Sequence, residues 1–219
     1  MPRKIIGAAF LSLDGVMQAP GGPDEDPTGG FPYGGWLWPH FDVDAKVGSL
    51  FDGPFDLLLG RRTYDIFAAY WPFMPPDGPI AAVFNRISKY VLTGSEAPLE
   101  WQGSHRLGGI DAVAALKEEV GPDLIIQGSS TLYPQLLARG LIDRLELMIG
   151  PLVLGTGKRL FGDGTPAAAF RLLEQSATPK GVIIATYEPA GPAQTGSFAS
   201  IDPSEPELAR RRKIEQGVW

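Results

Sequence analysis

Apolar runs of strand length alternate with segments of helical periodicity along most of this chain, a pattern typical of an α/β fold. The clearest unit spans 124–134, where an apolar run stops at Gly128, three hydroxyl residues follow, and leucines then recur at helical spacing. A second unit of the same design spans 57–71 and has Gly60 at the end of its strand. Each unit predicts a strand, a tight turn and the start of a helix.

The same patterns predict further elements in both directions along the chain. Strands are predicted at 4–11, 55–60, 87–93, within 99–107, and at 124–127, 141–151, 170–178 and 182–188; helices are predicted from Asp42, Arg61 and Asp111 and from a hydroxyl cap at Ser130 or Thr131. A proline-rich connector at 72–79 leads to a short segment ending at Arg86, to which neither type is assigned. We predict a three-layer α/β fold: a mostly parallel central sheet with helices on both faces and a C-terminal antiparallel hairpin.

The composition changes near the end of the chain. Residues 190–206 are rich in Ala, Gly, Pro, Ser and Thr, which is typical of a linker. Residues 207–214 carry a run of basic side chains and are predicted to form a short helix in a solvated tail. We therefore predict one domain over residues 1–189, followed by a linker and short charged tail over 190–219.

Polar and glycine-rich turns follow four of the predicted strands. They contain Asp14, Gly60 with Arg61, Thr93 with Gly94, and Gly128 with Ser129. Because ligands bind at the carboxyl ends of parallel strands, we expect these turns to form one site. Glycines admit an anion close to the backbone, and hydroxyls and helix N-termini supply donors. Two such turns suit a ligand with several phosphates, such as a dinucleotide; the alternative is an ordinary strand-to-helix connection.

A long loop at 18–39 contains glycines and prolines together with four aromatic residues. A loop of this length in a compact domain is usually functional or disordered, and the aromatic residues favour order. We interpret the loop as a lid or wall over a cleft; the alternative is a surface loop without a role in the site.

Composition excludes several classes of function. The net charge of −6 argues against non-specific nucleic-acid binding, which needs a basic surface. The absence of cysteine excludes disulfides, thiolate nucleophiles and cysteine metal sites, and His40 and His105 alone do not make a zinc centre, so no metal is predicted. No apolar run reaches the length of a membrane span and no secretory leader is visible, so we expect a cytoplasmic protein without membrane contact.

Several motifs in matching order resemble the dihydrofolate reductase-like superfamily, and more narrowly the branch that includes the reductase domain of bacterial riboflavin biosynthesis (RibD C-terminal). The motifs are SLDG at 12–15, GRRTY at 60–64, KYVLT at 89–93, QGS at 127–129, LIDRL at 141–145 and PLVLGTG at 151–157. The resemblance covers about residues 3–189 and implies a dihydrofolate reductase-like reductase domain that binds NADPH.

The resemblance also implies roles for individual residues around NADPH. Cofactor phosphate would meet Arg61, Arg62 and Thr63; the adenosine ribose and its 2′-phosphate would lie near Thr93, Gly94 and Ser95; the pyrophosphate would lie on Gly128, Ser129, Ser130 and Thr131; and the nicotinamide would be flanked by Ala9 and Val16. One departure is Ser129, because family members usually carry a second glycine there. Its side chain must point away from the pyrophosphate or serve as a donor.

Three acids are candidates for proton transfer during reduction. Folate reductases carry an acid on the helix after the first long loop, which corresponds to Asp42 or Asp44, although both also suit a helix-capping turn. Asp14 is the alternative, since the riboflavin branch carries an aspartate there and burial in a cleft would raise the pKa of its carboxyl group. A turn residue before Gly15 is an equally good interpretation of Asp14.

The resulting prediction is an NADPH-dependent reductase that transfers hydride to a small heterocyclic substrate such as a pterin, pyrimidine or flavin-related ring. One alternative is the ribosylaminopyrimidine phosphate reductase of the riboflavin pathway, although the first loop lacks an extra basic cluster for the ribose phosphate. Another is a catalytically silent nucleotide-binding protein. Related domains of the riboflavin branch often pair as dimers, so a homodimer through the terminal hairpin or the tail is an expectation as well.

Overall fold

The computed structural model describes residues 2–42, 53–199 and 201–218. An eight-stranded sheet runs through it in the order β4-β3-β2-β5-β1-β6-β8-β7. The strands are β1 (Ile5–Leu11), β2 (Phe55–Gly60), β3 (Lys89–Leu92), β4 (Ser104–Leu107), β5 (Asp123–Ile126), β6 (Arg144–Ile149), β7 (Phe170–Ala177) and β8 (Ile183–Pro189). Strands β1 to β6 are parallel to their neighbours among themselves, and β8 and β7 are added antiparallel.

Five α-helices are present in the described residues. They are α1 (Arg61–Ala68), α2 (Pro79–Arg86), α3 (Ile110–Glu118), α4 (Leu132–Ala138) and α5 (Glu205–Glu215), with short 3-10 helices at Thr28–Gly30, Trp38–His40 and Trp71–Phe73. The predicted three-layer fold is confirmed: a mostly parallel sheet, helices, and a C-terminal antiparallel hairpin. No described helix combines the length and the apolar character that crossing a membrane requires.

Alternating side chains of the central strands fill two separate cores, one on each face of the sheet. In β2, Leu58 packs with Leu124 and Tyr133 in one core, whereas Leu57 and Leu59 pack in the other. These strands are apolar on both faces because both faces are covered, as expected for parallel strands at the centre of a sheet.

Gly7 in β1 shows how closely the first core is packed. A Cβ atom there would lie 2.6 Å from Cε1 of Tyr133 and 2.8 Å from Cδ2 of Leu145. The phenol of Tyr133 donates to the carbonyl of Ile126 at 3.2 Å, and burial raises the pKa of this phenol. The absence of a side chain at Gly7 therefore makes room for the aromatic ring that joins α4 to the sheet.

Several predicted boundaries and caps were wrong. Residues 79–86, to which no element was assigned, form α2, which starts on its own proline and buries Ala81 and Phe84. Helix α3 begins after Gly109, so Asp111 lies in its first turn and is not the cap. Thr131 occupies the N-cap position of α4 but makes no side-chain cap hydrogen bond. The helix predicted from Asp42 covers 43–52, which lie outside the described residues.

Beyond β8, the described residues contribute no strand to the sheet. Between β8 and α5, the described residues have no regular helix or strand, and α5 has no fully buried residue. Helix α5 carries Glu205 and Glu207 in its first turn and Arg212 and Lys213 in its last turn, before Glu215. This charge order suits the helix dipole and favours a helix without help from packing.

Candidate active site

A cleft of about 1520 Å³ opens at the carboxyl ends of the parallel strands. Its floor is formed by Ala8, Ala9 and Phe10 of β1, Gly60 of β2, Leu92 of β3 and Met148 of β6. The turns after β2, β3, β4 and β5 surround this floor with residues 61–63, 93–94, 108–109 and 127–131. The predicted convergence of the turns after β2, β3 and β5 is thus present, and the turn after β4 joins them.

The two turns singled out by the sequence contact each other directly at the cleft. Thr63 Oγ1 and Ser129 Oγ are 3.0 Å apart and share a hydrogen bond, and the amide of Gly60 donates to the carbonyl of Gly128 at 3.3 Å. A Cβ atom at Gly60 would lie 2.4 Å from Ser129 Oγ, and one at Gly128 would lie 2.6 Å from Thr63 Oγ1. Both glycines are needed for this approach.

Ser129 stands where the resemblance implied a second glycine, and its hydroxyl contacts that of Thr63. The peptide bond between Gly128 and Ser129 is cis, and Gly128 has a φ of 143°. This φ strongly favours glycine. The turn therefore combines a glycine backbone with a hydroxyl that links it to the start of α1.

Ten of the twelve residues predicted to bind the cofactor line this cleft. They are Ala9, Arg61, Arg62, Thr63, Thr93, Gly94, Gly128, Ser129, Ser130 and Thr131. Val16 and Ser95 are not among the lining residues. Val16 is buried in a small core beneath the long loop, and Ser95 uses its amide to bind Thr93 Oγ1 at 3.0 Å.

The two arginines at the start of α1 differ in their surroundings. Arg61 Nε donates to Asp65 Oδ1 at 2.8 Å, and its Nη1 donates to the carbonyl of Ala97 at 3.0 Å. Arg62 is exposed at the edge of the cleft. Asp65 therefore compensates much of the charge of Arg61, and Arg62 is the more available cation for an anionic ligand.

Asp14 fastens two loops to each other and does not line the cleft. Its Oδ1 accepts from Ser12 Oγ at 2.6 Å and from the amide of Leu154 at 3.0 Å, and its Oδ2 accepts from the amide of Gly155 at 2.9 Å. The hydrogen bond from Ser12, followed by those from the two amides, lowers the pKa of Asp14 to about 2. Such a carboxylate is ionised at neutral pH and holds no proton to deliver.

Of the other two predicted acids, the structure describes Asp42. Asp42 lies beside Phe41, a lining residue, but is not itself among the residues that line the cleft. Asp44 lies outside the described residues. The roles of all three acids in proton transfer stay predictions.

The long loop forms one wall of the cleft, as the interpretation of 18–39 as a wall requires. Its lining residues are 18–26, Leu37 and Trp38. Gln18 organises the loop: its Nε2 donates to the carbonyls of Asp26 and Thr28 at 2.8 and 2.9 Å, and its backbone carbonyl accepts from Trp36 Nε1 at 2.8 Å. The aromatic residues thus order the loop, as their presence in the sequence indicated.

Two charged groups on this wall were missed by the sequence analysis. Lys158 forms an ion pair with the nearly buried Asp26 and donates to Thr28 Oγ1 at 2.7 Å. Glu25 Oε2 accepts from the amides of Gly21 and Gly22 at 2.7 and 3.2 Å. Burial is the largest influence on Glu25 and raises the pKa of its carboxyl group, against the two amides that lower it. The acidic run at 24–26 was visible in the sequence, whereas its partner more than 130 residues away was not.

A family model for the RibD C-terminal domain matches residues 3–184. The chain belongs to the RibD C-terminal domain family. This confirms the resemblance on which the cofactor residues were chosen.

Two proteins of Bacillus subtilis strain 168 are similar to this RibD C-terminal domain over most of their length. YyaP is 24% identical over 189 residues, which cover 84% of this chain and 94% of YyaP. YwjB is 27% identical over 178 residues, which cover 78% of this chain and 90% of YwjB. Neither bears a name that states an activity.

Solved structures of three other proteins share the fold of this RibD C-terminal domain. A protein of Shewanella sp. PV-4 provisionally assigned to riboflavin biosynthesis superposes with a TM-score of 0.63 at 20% identity, covering 87% of this chain and 99% of that one. A pyrimidine reductase-like protein of Corynebacterium diphtheriae has a TM-score of 0.53 at 18% identity, covering 86% and 92%. The dihydrofolate reductase of Enterococcus faecalis, complexed with NADP(H), has a TM-score of 0.51 at 14% identity, covering 85% and 96%.

Proposed function

We propose that this protein is an NADPH-dependent reductase that transfers hydride to a small heterocyclic substrate. The observation that carries the proposal is the direct contact between the turns after β2 and β5, made through Gly60, Thr63, Gly128 and Ser129 at the floor of the cleft. Membership of the RibD C-terminal domain family and the fold shared with an NADP(H)-bound dihydrofolate reductase support it.

The residues present fit such a cofactor. Phosphate groups would be held by Arg62 and by the hydroxyls of Thr63, Ser130 and Thr131, which line the cleft. The glycine at 128 admits a phosphate close to the backbone. The nicotinamide would lie on the apolar floor at Ala9, where a flat ring finds no charged neighbour on β1. When bound, NADPH would supply the hydride.

The protein itself would orient the substrate against the nicotinamide and keep water away from the reacting carbon. Ala9 and Met148 supply an apolar floor, and Trp38 of the long loop and Phe41, just after it, supply a wall. Excluding water strengthens every polar contact inside the site. Hydride addition to a ring carbon leaves negative charge on the adjacent nitrogen or oxygen, which must then take up a proton.

A nucleotide titration tests the proposal. Binding of NADPH and NADH to purified protein would be followed by fluorescence, and we expect NADPH to bind the more tightly. Arg62→Ala should weaken NADPH binding about tenfold through loss of one charge-assisted contact. Arg61→Ala should have a smaller effect, because the guanidinium of Arg61 already donates hydrogen bonds to Asp65 and to the carbonyl of Ala97.

Arg139→Ala is the matched control for this titration, since Arg139 pairs with Asp111 and does not line the cleft. Absence of binding by either nucleotide would contradict the proposal. Binding without turnover of any ring substrate would favour the silent nucleotide-binding protein over the reductase.

The family match favours the riboflavin-pathway ribosylaminopyrimidine phosphate reductase as a second candidate. That substrate carries a phosphate, and Lys158 is the cation on the loop side of the cleft that could meet it. The ion pair with Asp26 opposes this role, because Lys158 would have to leave its partner. Turnover of the ribosylaminopyrimidine phosphate with NADPH would establish this candidate.

We also propose that the chain pairs into a homodimer through β7. This strand lies at the edge of the sheet, and Leu172 and Leu173 are nearly half exposed on it. An exposed edge strand with apolar side chains favours pairing with another strand, and a second copy supplies an identical edge.

A further inference from the structure

The cleft has two chemically different ends. At the strand ends, its walls carry hydroxyls and Arg62. At the long loop, its walls carry the acids of 24–26 together with aromatic side chains. A volume of about 1520 Å³ exceeds the roughly 300–1,000 Å³ of common small-molecule pockets, so the cleft has room for two ligands side by side.

The loop end carries excess negative charge. Lys158 is neutralised by Asp26. Among the described residues, no cation lies within ion-pair distance of Asp24 or Glu25, which both line the cleft. The amides of Gly21 and Gly22 hold only one oxygen of Glu25. A phosphate brought to this end would face two acids and gain no free cation, which costs affinity even where water screens the charges.

Aromatic side chains on two walls of the cleft are left open to solvent. Trp38 on the long loop is 73% exposed, and Tyr70, in the turn after α1, is 52% exposed. Ile80 of α2 also lines the cleft and is 48% exposed. Large apolar groups clustered in one concave surface mark a binding site, because a ligand that covers them removes apolar area from water.

We propose that the loop end of the cleft binds a flat aromatic substrate that is neutral or cationic and carries no phosphate group. Trp38 and Tyr70 supply the apolar contacts, and Asp24 and Glu25 reject anions and accept hydrogen bonds from ring nitrogens or amino groups. This inference rests on the proposed function, because it assigns the strand-end side of the cleft to the cofactor. It excludes the ribosylaminopyrimidine phosphate as the natural substrate.

Three fluorescent ring compounds test the inference. Riboflavin and flavin mononucleotide share one ring system and differ by a phosphate, and proflavine is an aromatic cation. Binding is measured by anisotropy with and without saturating NADP⁺, which prevents the mononucleotide from occupying the phosphate-binding end. We expect riboflavin and proflavine to bind at least about tenfold more tightly than flavin mononucleotide, as expected for about 1.4 kcal/mol of charge repulsion.

Variants assign the effect to the proposed residues. The double variant Asp24→Asn with Glu25→Gln should bring riboflavin and flavin mononucleotide to within about threefold of each other. Trp38→Ala should weaken all three compounds about tenfold. Phe198→Ala is the matched aromatic control, since Phe198 is fully exposed in the segment after β8 and does not line the cleft.

Equal or tighter binding of flavin mononucleotide, or no binding of any of the three compounds, would overturn the inference. A parallel titration with NADPH separates it from the proposed function. If NADPH binds and the phosphate makes no difference to the flavins, the inference fails alone. If the flavins and proflavine bind in the expected order and NADPH does not bind, the proposed cofactor fails and the loop-end site stands.

Discussion

At the scale of single residues, Lys89 is a charged group buried among apolar neighbours. It is completely buried in β3, where its ammonium donates to the carbonyls of Gln102 and Asn85 at 2.9 and 3.3 Å and lies 4.3 Å from the centre of the Trp101 ring. Burial lowers its pKa to about 8, and Asp56 opposes this only in part. Lys89 connects β3 to the segment that leads into β4 and is not among the residues that line the cleft.

The lowered pKa of Lys89 predicts a pH dependence of stability. Between pH 8 and 10.5 the unfolded chain holds this proton more tightly than the folded protein, so the free energy of unfolding should rise with pH. We expect a gain of about 2 kcal/mol between pH 7 and 9.5 from this group. Urea unfolding at both pH values measures it. Lys89→Met should flatten the rise, and Lys4→Met, at an exposed lysine, should leave it unchanged.

Asp14 predicts a pH dependence of the same sign in a separate window at low pH, where the free energy of unfolding should also rise with pH. Its folded pKa of about 2 lies below the ordinary value of an aspartate, so its stabilisation is complete above about pH 4 and is lost as the pH falls towards 2. Asp14→Ala should lower the free energy of unfolding by about 1–3 kcal/mol at pH 7, because the amides of Leu154 and Gly155 lose their acceptor.

The control for Asp14 is Asp163→Ala, which removes the carboxylate of an exposed aspartate. The pH profile of reduction should keep its shape in Asp14→Ala if the carboxylate only fastens the two loops. If the rate of reduction by Asp14→Ala no longer changes with pH on the acid side, Asp14 instead has the proton-transfer role that its position after β1 suggested.

At the scale of elements, the contact between the turns after β2 and β5 yields the sharpest test of the site. Gly60→Ala places a Cβ atom 2.4 Å from Ser129 Oγ and 2.9 Å from Ser129 Cβ, so the two turns must separate. We expect NADPH binding to weaken at least about tenfold and stability to fall by about 1–3 kcal/mol. Nucleotide titration and urea unfolding measure the two effects.

A second substitution shows whether this contact is the cause. Ser129→Gly removes the atoms with which the new Cβ collides, so the double variant Gly60→Ala with Ser129→Gly should recover most of the lost affinity. Gly94→Ala, whose added Cβ meets no atom within 4 Å, should leave stability unchanged. If the double variant is no better than Gly60→Ala, the packing of the two turns does not explain the loss.

Sequence patterns predicted the strand-to-helix units well because each unit is decided locally. The apolar run of β5, the glycine at 128 and the helical spacing of α4 lie within fifteen residues, and the same holds for β2 and α1. Helix α2 was missed because its eight residues follow a proline-rich connector and bury only two side chains. Short helices of this kind depend on packing against the sheet, which periodicity does not reveal.

Contacts between distant segments limited the prediction of the site. Ten of the residues predicted to bind the cofactor line the cleft, because strand ends meet at one edge of a parallel sheet. The sequence did not reveal that the carbonyl of Ala97 accepts a hydrogen bond from Arg61, nor that Asp26 pairs with Lys158. Such pairs join positions up to 132 residues apart, and only the folded chain brings them together.

At the scale of the whole molecule, the exposed edge at β7 predicts self-association. If two copies of β7 pair antiparallel about an axis between residues 172 and 173, Leu172 faces Leu173 and Arg171 faces Glu174 of the other copy, so the edge complements itself. Sedimentation across the micromolar range should detect a dimer. Leu173→Lys should shift it to monomer by placing an unpaired charge in the contact, whereas Val120→Lys, at an exposed valine outside β7, should not.

Charge reversal tests the register of this contact. Arg171→Glu places two acids opposite each other across the axis and should weaken the dimer, and Arg171→Glu combined with Glu174→Arg should restore it, because opposite charges then face again. Arg171 also pairs with Glu188 of its own chain, so Glu188→Gln is needed to separate the two effects. A chain that sediments as a monomer at every concentration, or a double variant that fails to recover while Glu188→Gln has no effect, would contradict pairing through β7.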